Sequence, residues 1–313
     1  MEIHLNISFP RIPCELLTLD IMDVSGEQQT GVKHGINKVQ LAPRNEGSHP
    51  IALTSLDLHS ETNAAVHLDP TYCGNCYGAP APPTATKAGC CQTCEEVREA
   101  YATVSWAFGR GENVKQCEEE HYSEKLDAQR EQGCRIEGGF RVNKVIGNFH
   151  IAPGRSFSNG QMHVHDLNNY LDSPVQGGHT FTHEIHQLRF GPQLPESLSG
   201  AIGNAGWTSH HLNPLDDTKQ DTDDPAFNYM YFVKVVSTSY LPLGWETKSP
   251  LKKLGRRANT DLSADSELIP LGLHGRGEDG SVETHQYSVT SHKRSLSGGS
   301  DSAEGHKERL HAR

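Results

Sequence analysis

Sulfur and imidazole dominate the reactive side chains of this chain. Seven of its eight cysteines fall between residues 73 and 134: Cys73 and Cys76 in a C-x-x-C, then Cys90, Cys91, Cys94, Cys117 and Cys134, with Cys14 far upstream. Clustered cysteines serve as structural disulfides, metal ligands or a redox couple. Cys73-x-x-Cys76 and Cys91-x-x-Cys94 are fourteen residues apart, near the spacing of a zinc ribbon, so these four could form a tetrathiolate site. That reading leaves Cys90, Cys117 and Cys134 without a role. A redox reading favours Cys91, which precedes a helix start whose positive end would stabilise a thiolate; Cys73 and Cys76 run instead into a proline-rich loop. Structural disulfides account for the most cysteines, and such density belongs to an oxidising compartment. Neighbouring cysteines rarely bond to each other, so Cys90 and Cys91 are expected to reach different partners. With an odd number in the cluster, either Cys14 joins it and staples it to the rest of the chain, or one thiol stays free.

Histidine is the second resource. The chain has nineteen, with His150, His163, His165, His179, His183 and His186 in one region. On a strand His163 and His165 would share a face. The pair resembles part of a cupin-type metal site, but Asn168 and Asn169 stand where that site needs a glutamate, so no metal is expected there. His183-Glu184-Ile185-His186 is one residue short of the H-E-x-x-H zinc motif. Two uses stay open: scattered surface histidines, or proton sensors, since imidazole alone changes charge near neutrality without special tuning. No nucleophile elbow or phosphate loop is present, so no catalytic role, cofactor or enzyme activity is expected.

These residues need a scaffold, and the hydrophobic pattern supplies one. Residues 3–9 alternate Ile3, Leu5, Ile7 and Phe9 until Pro10, which predicts a strand. Further strands are predicted over 14–24, 51–58, 140–151, 181–190, 229–236 and 286–290. Short strands with glycine and proline punctuation and few helices predict an antiparallel β-sandwich. The cysteine region differs. Thr93 and Glu96 form a capping box, followed by Val97, Tyr101, Val104 and Phe108 at helical spacing. A second helix is predicted over 123–132. The predicted organisation is thus a sandwich built from 1–69, 136–245 and 282–292, interrupted by a cysteine-rich two-helix insert at 70–135. The polar stretch 246–281, with Lys252, Lys253, Arg256 and Arg257, reads as a flexible solvated loop, and 293–313 as a disordered tail.

Composition narrows the setting. A net charge of −11 disfavours nucleic acid as a partner, and no window approaches a membrane span. The first residues are not a signal peptide, since Glu2, His4 and Pro10 interrupt them. Asn6-Ile7-Ser8 is the lone N-glycosylation sequon. With the cysteine density, it points to an oxidising lumen, which would make the chain the luminal portion of a longer protein.

The segments Phe9-Pro10-Arg11-Ile12-Pro13-Cys14, Asp20-Ile21-Met22-Asp23-Val24-Ser25-Gly26-Glu27-Gln28 and Cys73-Gly74-Asn75-Cys76-Tyr77-Gly78-Ala79 resemble the ERGIC family of cargo receptors that cycle between endoplasmic reticulum and Golgi. Cys90-Cys91-x-x-Cys94-x-x-Val97-x-x-Ala100-Tyr101, Gly133-Cys134-Arg135, Gly147-Asn148-Phe149-His150-Ile151-Ala152-Pro153-Gly154 and Leu188-Arg189-Phe190-Gly191 continue the match. It covers residues 1–241 and resumes near 285–290. The cysteine block resembles that of the larger subunit of the heteromeric retrieval receptor. The resemblance implies a luminal β-sandwich between two membrane helices, a smaller paralogous subunit as partner, and coated-vesicle traffic through cytosolic tails. It also implies retrieval of escaped residents of the endoplasmic reticulum, favoured at the acidic Golgi side. Two departures stand out: the 246–281 loop is longer than the family core, and the chain stops before the luminal strand that normally precedes the second span.

Overall fold

In a computed structural model, the described residues are 1–23, 35–55, 72–104, 106–154, 156–159, 162–165, 167, 170, 178–193, 212–240 and 282–295. Twelve strands and three α-helices lie among them: β1 (Glu2–Phe9), β2 (Leu17–Asp23), β3 (Ile36–Leu41), β4 (Pro50–Ser55), α1 (Cys94–Thr103), α2 (Lys115–Glu119), α3 (Tyr122–Gln129), β5 (Gly133–Arg141), β6 (Gly147–Pro153), β7 (Ser156–Asn159), β8 (Met162–His165), β9 (His183–Phe190), β10 (Thr218–Gln220), β11 (Phe227–Tyr240) and β12 (Val282–Ser295).

The alternation in β1 explains its central place. Ile3, Leu5, Ile7 and Phe9 are buried on one face, and the strand pairs on both sides within a sheet ordered β10-β9-β1-β5-β3-β4. All of its pairings are antiparallel, Ile7 lying opposite both Ile136 of β5 and Ile185 of β9. Two ribbons, β2–β6 and β11–β12, cover the apolar face of this sheet. Leu17, Leu19 and Ile21 come from β2, Phe149 and Ile151 from β6, Tyr231, Val233 and Val235 from β11, and Tyr287 from β12. Phe140 packs edge-on against Phe149 with ring centroids 5.8 Å apart, and Phe190 against Tyr287 at 5.2 Å. The result is the expected antiparallel sandwich, with a single apolar core between its layers.

Element boundaries depart from the sequence reading in instructive places. The run 140–151 is the end of β5 and the start of β6, separated by a turn at 142–146. Residues 14–16 form a 3-10 turn before β2 begins. α1 stops at Thr103, so Val104 and Phe108 lie beyond it, because Val104 already leaves helical geometry. The second predicted helix is α3, three residues shorter at its end, and α2 carried no sequence signal. β3, β7, β8 and β10 were also missed. β5 begins at Gly133, inside the segment read as insert, and β12 continues to Ser295, inside the segment read as tail. Residues 246–281, including the basic patch, lie outside the described residues.

Candidate functional site

The cysteine region folds as a module with its own small core: Cys76, Cys91, Cys94, Val97, Ala100, Val114 and Cys117. All eight cysteines are paired: Cys73–Cys90, Cys76–Cys91, Cys94–Cys117 and Cys14–Cys134. Two adjacent bridges clamp the 73–76 segment onto 90–91, the third ties the start of α1 to α2, and the fourth joins the 3-10 turn to the first residues of β5. Cys90 and Cys91 do reach different partners, and Cys14 closes the module's exit into the sandwich. Cys73, Cys76, Cys91 and Cys94 therefore present no thiolate to a zinc ion, and Cys91 none to a substrate.

Polar side chains complete the module. Thr93 caps α1 by accepting from the Glu96 amide at 3.1 Å. The buried Glu96 carboxylate does not reach back to Thr93, as a capping box would have it; it accepts from the Thr86 and Gln92 amides and the Thr86 hydroxyl. Gln116 is fully enclosed: its Nε2 donates to the carbonyls of Asn75 (2.9 Å) and Cys91 (2.7 Å), and its Oε1 accepts from Tyr77 Oη (3.0 Å). Glycine is obligatory at position 74, where a Cβ would fall 1.9 Å from the Cys91 carbonyl oxygen.

Arg98 fastens the module to the sandwich. From α1 it reaches Glu15 of the 3-10 turn at 2.8 Å, Glu95 at 2.9 Å and Tyr122 Oη at 3.0 Å. Tyr122 packs against both cores, and Leu126 of α3 belongs to the main one. Just beyond α1, Trp106 stands 46% exposed, its ring held edge-on against Tyr101 (5.5 Å), which also meets Phe108 (5.5 Å). This aromatic surface on a cross-linked frame escaped the sequence reading, because Trp106 follows the helix rather than lying on it.

The six histidines separate into distinct roles. His179 and His183 are buried, and burial lowers the pKa of each below the ordinary imidazole value. His179 Nδ1 donates to the Arg11 carbonyl at 3.0 Å, and the ring stacks on Tyr170. His183 Nδ1 donates to the Phe181 carbonyl at 2.8 Å, which leaves Nε2 to accept from Tyr231 Oη at 2.7 Å. The neutral tautomer thus satisfies both nitrogens. His186 is half-exposed on the outer face of the sheet, its Nε2 2.8 Å from Ser8 Oγ and its Nδ1 3.9 Å from Glu184. The side chain of His163 lies outside the described residues.

His150 and His165 come together. Their Nε2 atoms are 2.9 Å apart, and each lies 3.7 Å from Oδ2 of Asp20, which is 1% exposed. Asp20 stands directly opposite His150 in the β2–β6 pairing, on the face turned away from Leu19 and Ile21, and β8 brings His165 over both. His165 Nδ1 faces the Gly154 carbonyl at 3.3 Å, so it carries the proton, and His150 Nε2–H donates to His165 Nε2. Asp20 was missed in sequence because an aspartate at an outward strand position is ordinary. Its burial comes with the two imidazoles that lie against its carboxylate, one of them from β8.

Asn6 of the sequon is half-buried on β1, between β5 and β9, rather than on an exposed loop.

Residues 76–310 match the family described as Endoplasmic reticulum vesicle transporter, and residues 1–30 the family described as Endoplasmic Reticulum-Golgi Intermediate Compartment (ERGIC). ER-derived vesicles protein ERV46 of Saccharomyces cerevisiae is 33% identical over 328 residues, covering 100% of this chain and 68% of the relative. A probable endoplasmic reticulum-Golgi intermediate compartment protein 3 of Dictyostelium discoideum is 37% identical over 244 residues, covering 77% of this chain and 57% of the relative. The chain spans between 57 and 68% of the length of three curated relatives that it matches over most of its own length. Among solved structures, the crystal structure of Erv41p aligns with a TM-score of 0.39 and 15% identity, over 94% of this chain and 82% of the other. No helix among the described residues is long and apolar enough to cross a membrane.

Proposed function

Because the chain belongs to the endoplasmic reticulum vesicle transporter family, whose members work in traffic between endoplasmic reticulum and Golgi, we propose that it is the luminal cargo-binding part of a retrieval receptor. In this reading it binds escaped resident proteins of the endoplasmic reticulum on the acidic Golgi side and releases them at neutral pH. A smaller member of the same family is the partner subunit, and coat contacts belong to cytosolic parts of the full-length protein.

The observation that carries the reading is Trp106 on the disulfide-held module. A large aromatic kept out in water by a rigid, cross-linked frame gives contact area at low entropic cost, the usual character of a protein-binding hot spot. The alternative, thiol–disulfide exchange or zinc binding on client cysteines, finds no free thiol among the eight cysteines. For the acid response, His179 and His183 are poor sensors because burial opposes their charging. His186 is half-exposed, with Glu184 of its own strand 3.9 Å from its Nδ1 and Ser8 of β1 at its Nε2, and it lines an outer cleft together with Arg135 of β5 and Lys219 of β10.

The test is capture of soluble endoplasmic-reticulum residents by the immobilised chain at neutral and mildly acidic pH, with Trp106→Ser and His186→Gln beside the wild type. Acid-favoured capture that Trp106→Ser abolishes and His186→Gln makes pH-independent is expected. Capture unaffected by Trp106→Ser would remove the module from the contact. Several reactive thiols in the native protein would favour the exchange reading.

A further inference from the structure

We propose that Asp20, His150 and His165 form a binding site for a divalent transition-metal ion of the zinc type. With the three ligand atoms 2.9, 3.7 and 3.7 Å apart, the point equidistant from them lies about 2.0 Å from each, the length of a zinc–imidazole or zinc–carboxylate bond. Two imidazoles and a carboxylate suit zinc and its neighbours, whereas magnesium and calcium prefer oxygen alone.

The surroundings fit as well. Metal-bound histidines donate their second ring N–H to a fixed acceptor, and His165 already does so through Nδ1 to the Gly154 carbonyl. Metal binding requires only that His150 carry its proton on Nδ1 instead of Nε2, so both Nε2 lone pairs face the ion and no net charge is displaced. Asp20 is enclosed, and its carboxylate lies against both rings. Three protein ligands leave at least one coordination position for water or an incoming group.

The three ligands come from β2, β6 and β8, so the ion would bind the β7–β8 hairpin to the β2–β6 ribbon. β7 lies against α1, the first helix of the cysteine module. Occupancy of the site would therefore steady the hairpin on which that module rests.

The test uses the fully oxidised chain, stripped with chelator and then titrated with zinc, and separately with cobalt. About one equivalent of zinc is expected, with binding at least about tenfold weaker in His150→Gln/His165→Gln. A His4→Gln/His49→Gln control, removing two histidines elsewhere, should bind as the wild type does. Zinc should also slow amide exchange in β7 and β8. Cobalt should give d–d absorption bands without a thiolate charge-transfer band. If the double variant fails to fold, His165→Gln alone, altered only in the peripheral hairpin, should lose the cobalt bands. Binding far below one equivalent, binding undiminished in the histidine variants, or a thiolate band would each overturn the proposal.

Discussion

The sandwich and the cysteine module solve the same problem by different means. The sandwich buries aliphatic and aromatic side chains from most of its strands in one continuous core. Among the described residues the module's own core has seven buried members, four of them half-cystines, and the module relies on three internal disulfides and the enclosed Gln116 and Glu96. A segment this small cannot exclude enough water to offset its chain entropy, so covalent links limit the unfolded state instead. The difference has a functional side. Both regions leave an aromatic in solvent, Trp106 on the module and Phe232 on β11, but only Trp106 stands on a covalently cross-linked frame.

The largest separation between the two regions should come from their interiors. Phe140→Ala removes a side chain that is 1% exposed at the centre of the sandwich, and should cost about 3–5 kcal/mol, lowering the global melting transition. Cys76→Ser with Cys91→Ser opens a bridge across 15 residues and should cost about 3 kcal/mol, confined to the module. Amide exchange should then rise in α1 and α2 while β1 and β5 stay protected. Loss of protection in both regions would mean that they fold as one cooperative unit.

The seam between them comes next. Arg98→Ala breaks charge-assisted bonds to Glu15 and Glu95 and a bond to Tyr122, and should cost about 1–3 kcal/mol. Limited proteolysis should then cut near the module while the sandwich persists as a stable fragment.

The smallest expected effect is a pH dependence within the sandwich. His183 is held below its ordinary pKa chiefly by burial, with a smaller contribution from Lys293, against the Phe181 carbonyl bond. The unfolded chain therefore takes up a proton that the folded one refuses. Stability should fall as pH drops through the ordinary imidazole pKa of about 6.5, and level off below the folded-state value. His183→Gln should be less stable at neutral pH yet lose less between neutral and mildly acidic pH, as thermal melts at both would register. An unchanged slope would assign the acid sensitivity to another group.

Much of the sandwich was legible because alternation is a direct image of burial: Ile3, Leu5, Ile7 and Phe9 announce β1. β3 was not legible, since Asn37 and Lys38 interrupt its apolar pattern, nor was the break inside 140–151, where Val142, Val145 and Ile146 keep an apolar run going through a turn. The module's existence was plain from cysteine density, but no local rule fixes which sulfur meets which, because pairing depends on how 73–76 lies across 90–91. The histidines were visible as residues and invisible as a site. His150 and His165 meet only because the chain brings the end of β8 to the β2–β6 ribbon, and Asp20 is recruited by strand register rather than by sequence proximity.

The central claim is that the module, and not a face of the sandwich, meets the cargo. Amide exchange of the chain with and without a client recovered by acid-favoured capture tests it directly. Slowed exchange around Trp106 and in the loop preceding α1, with β11 and β12 unchanged, is the result predicted. Protection confined to the outer face of β11, where Met230 and Phe232 are exposed, with none in the module, would contradict it.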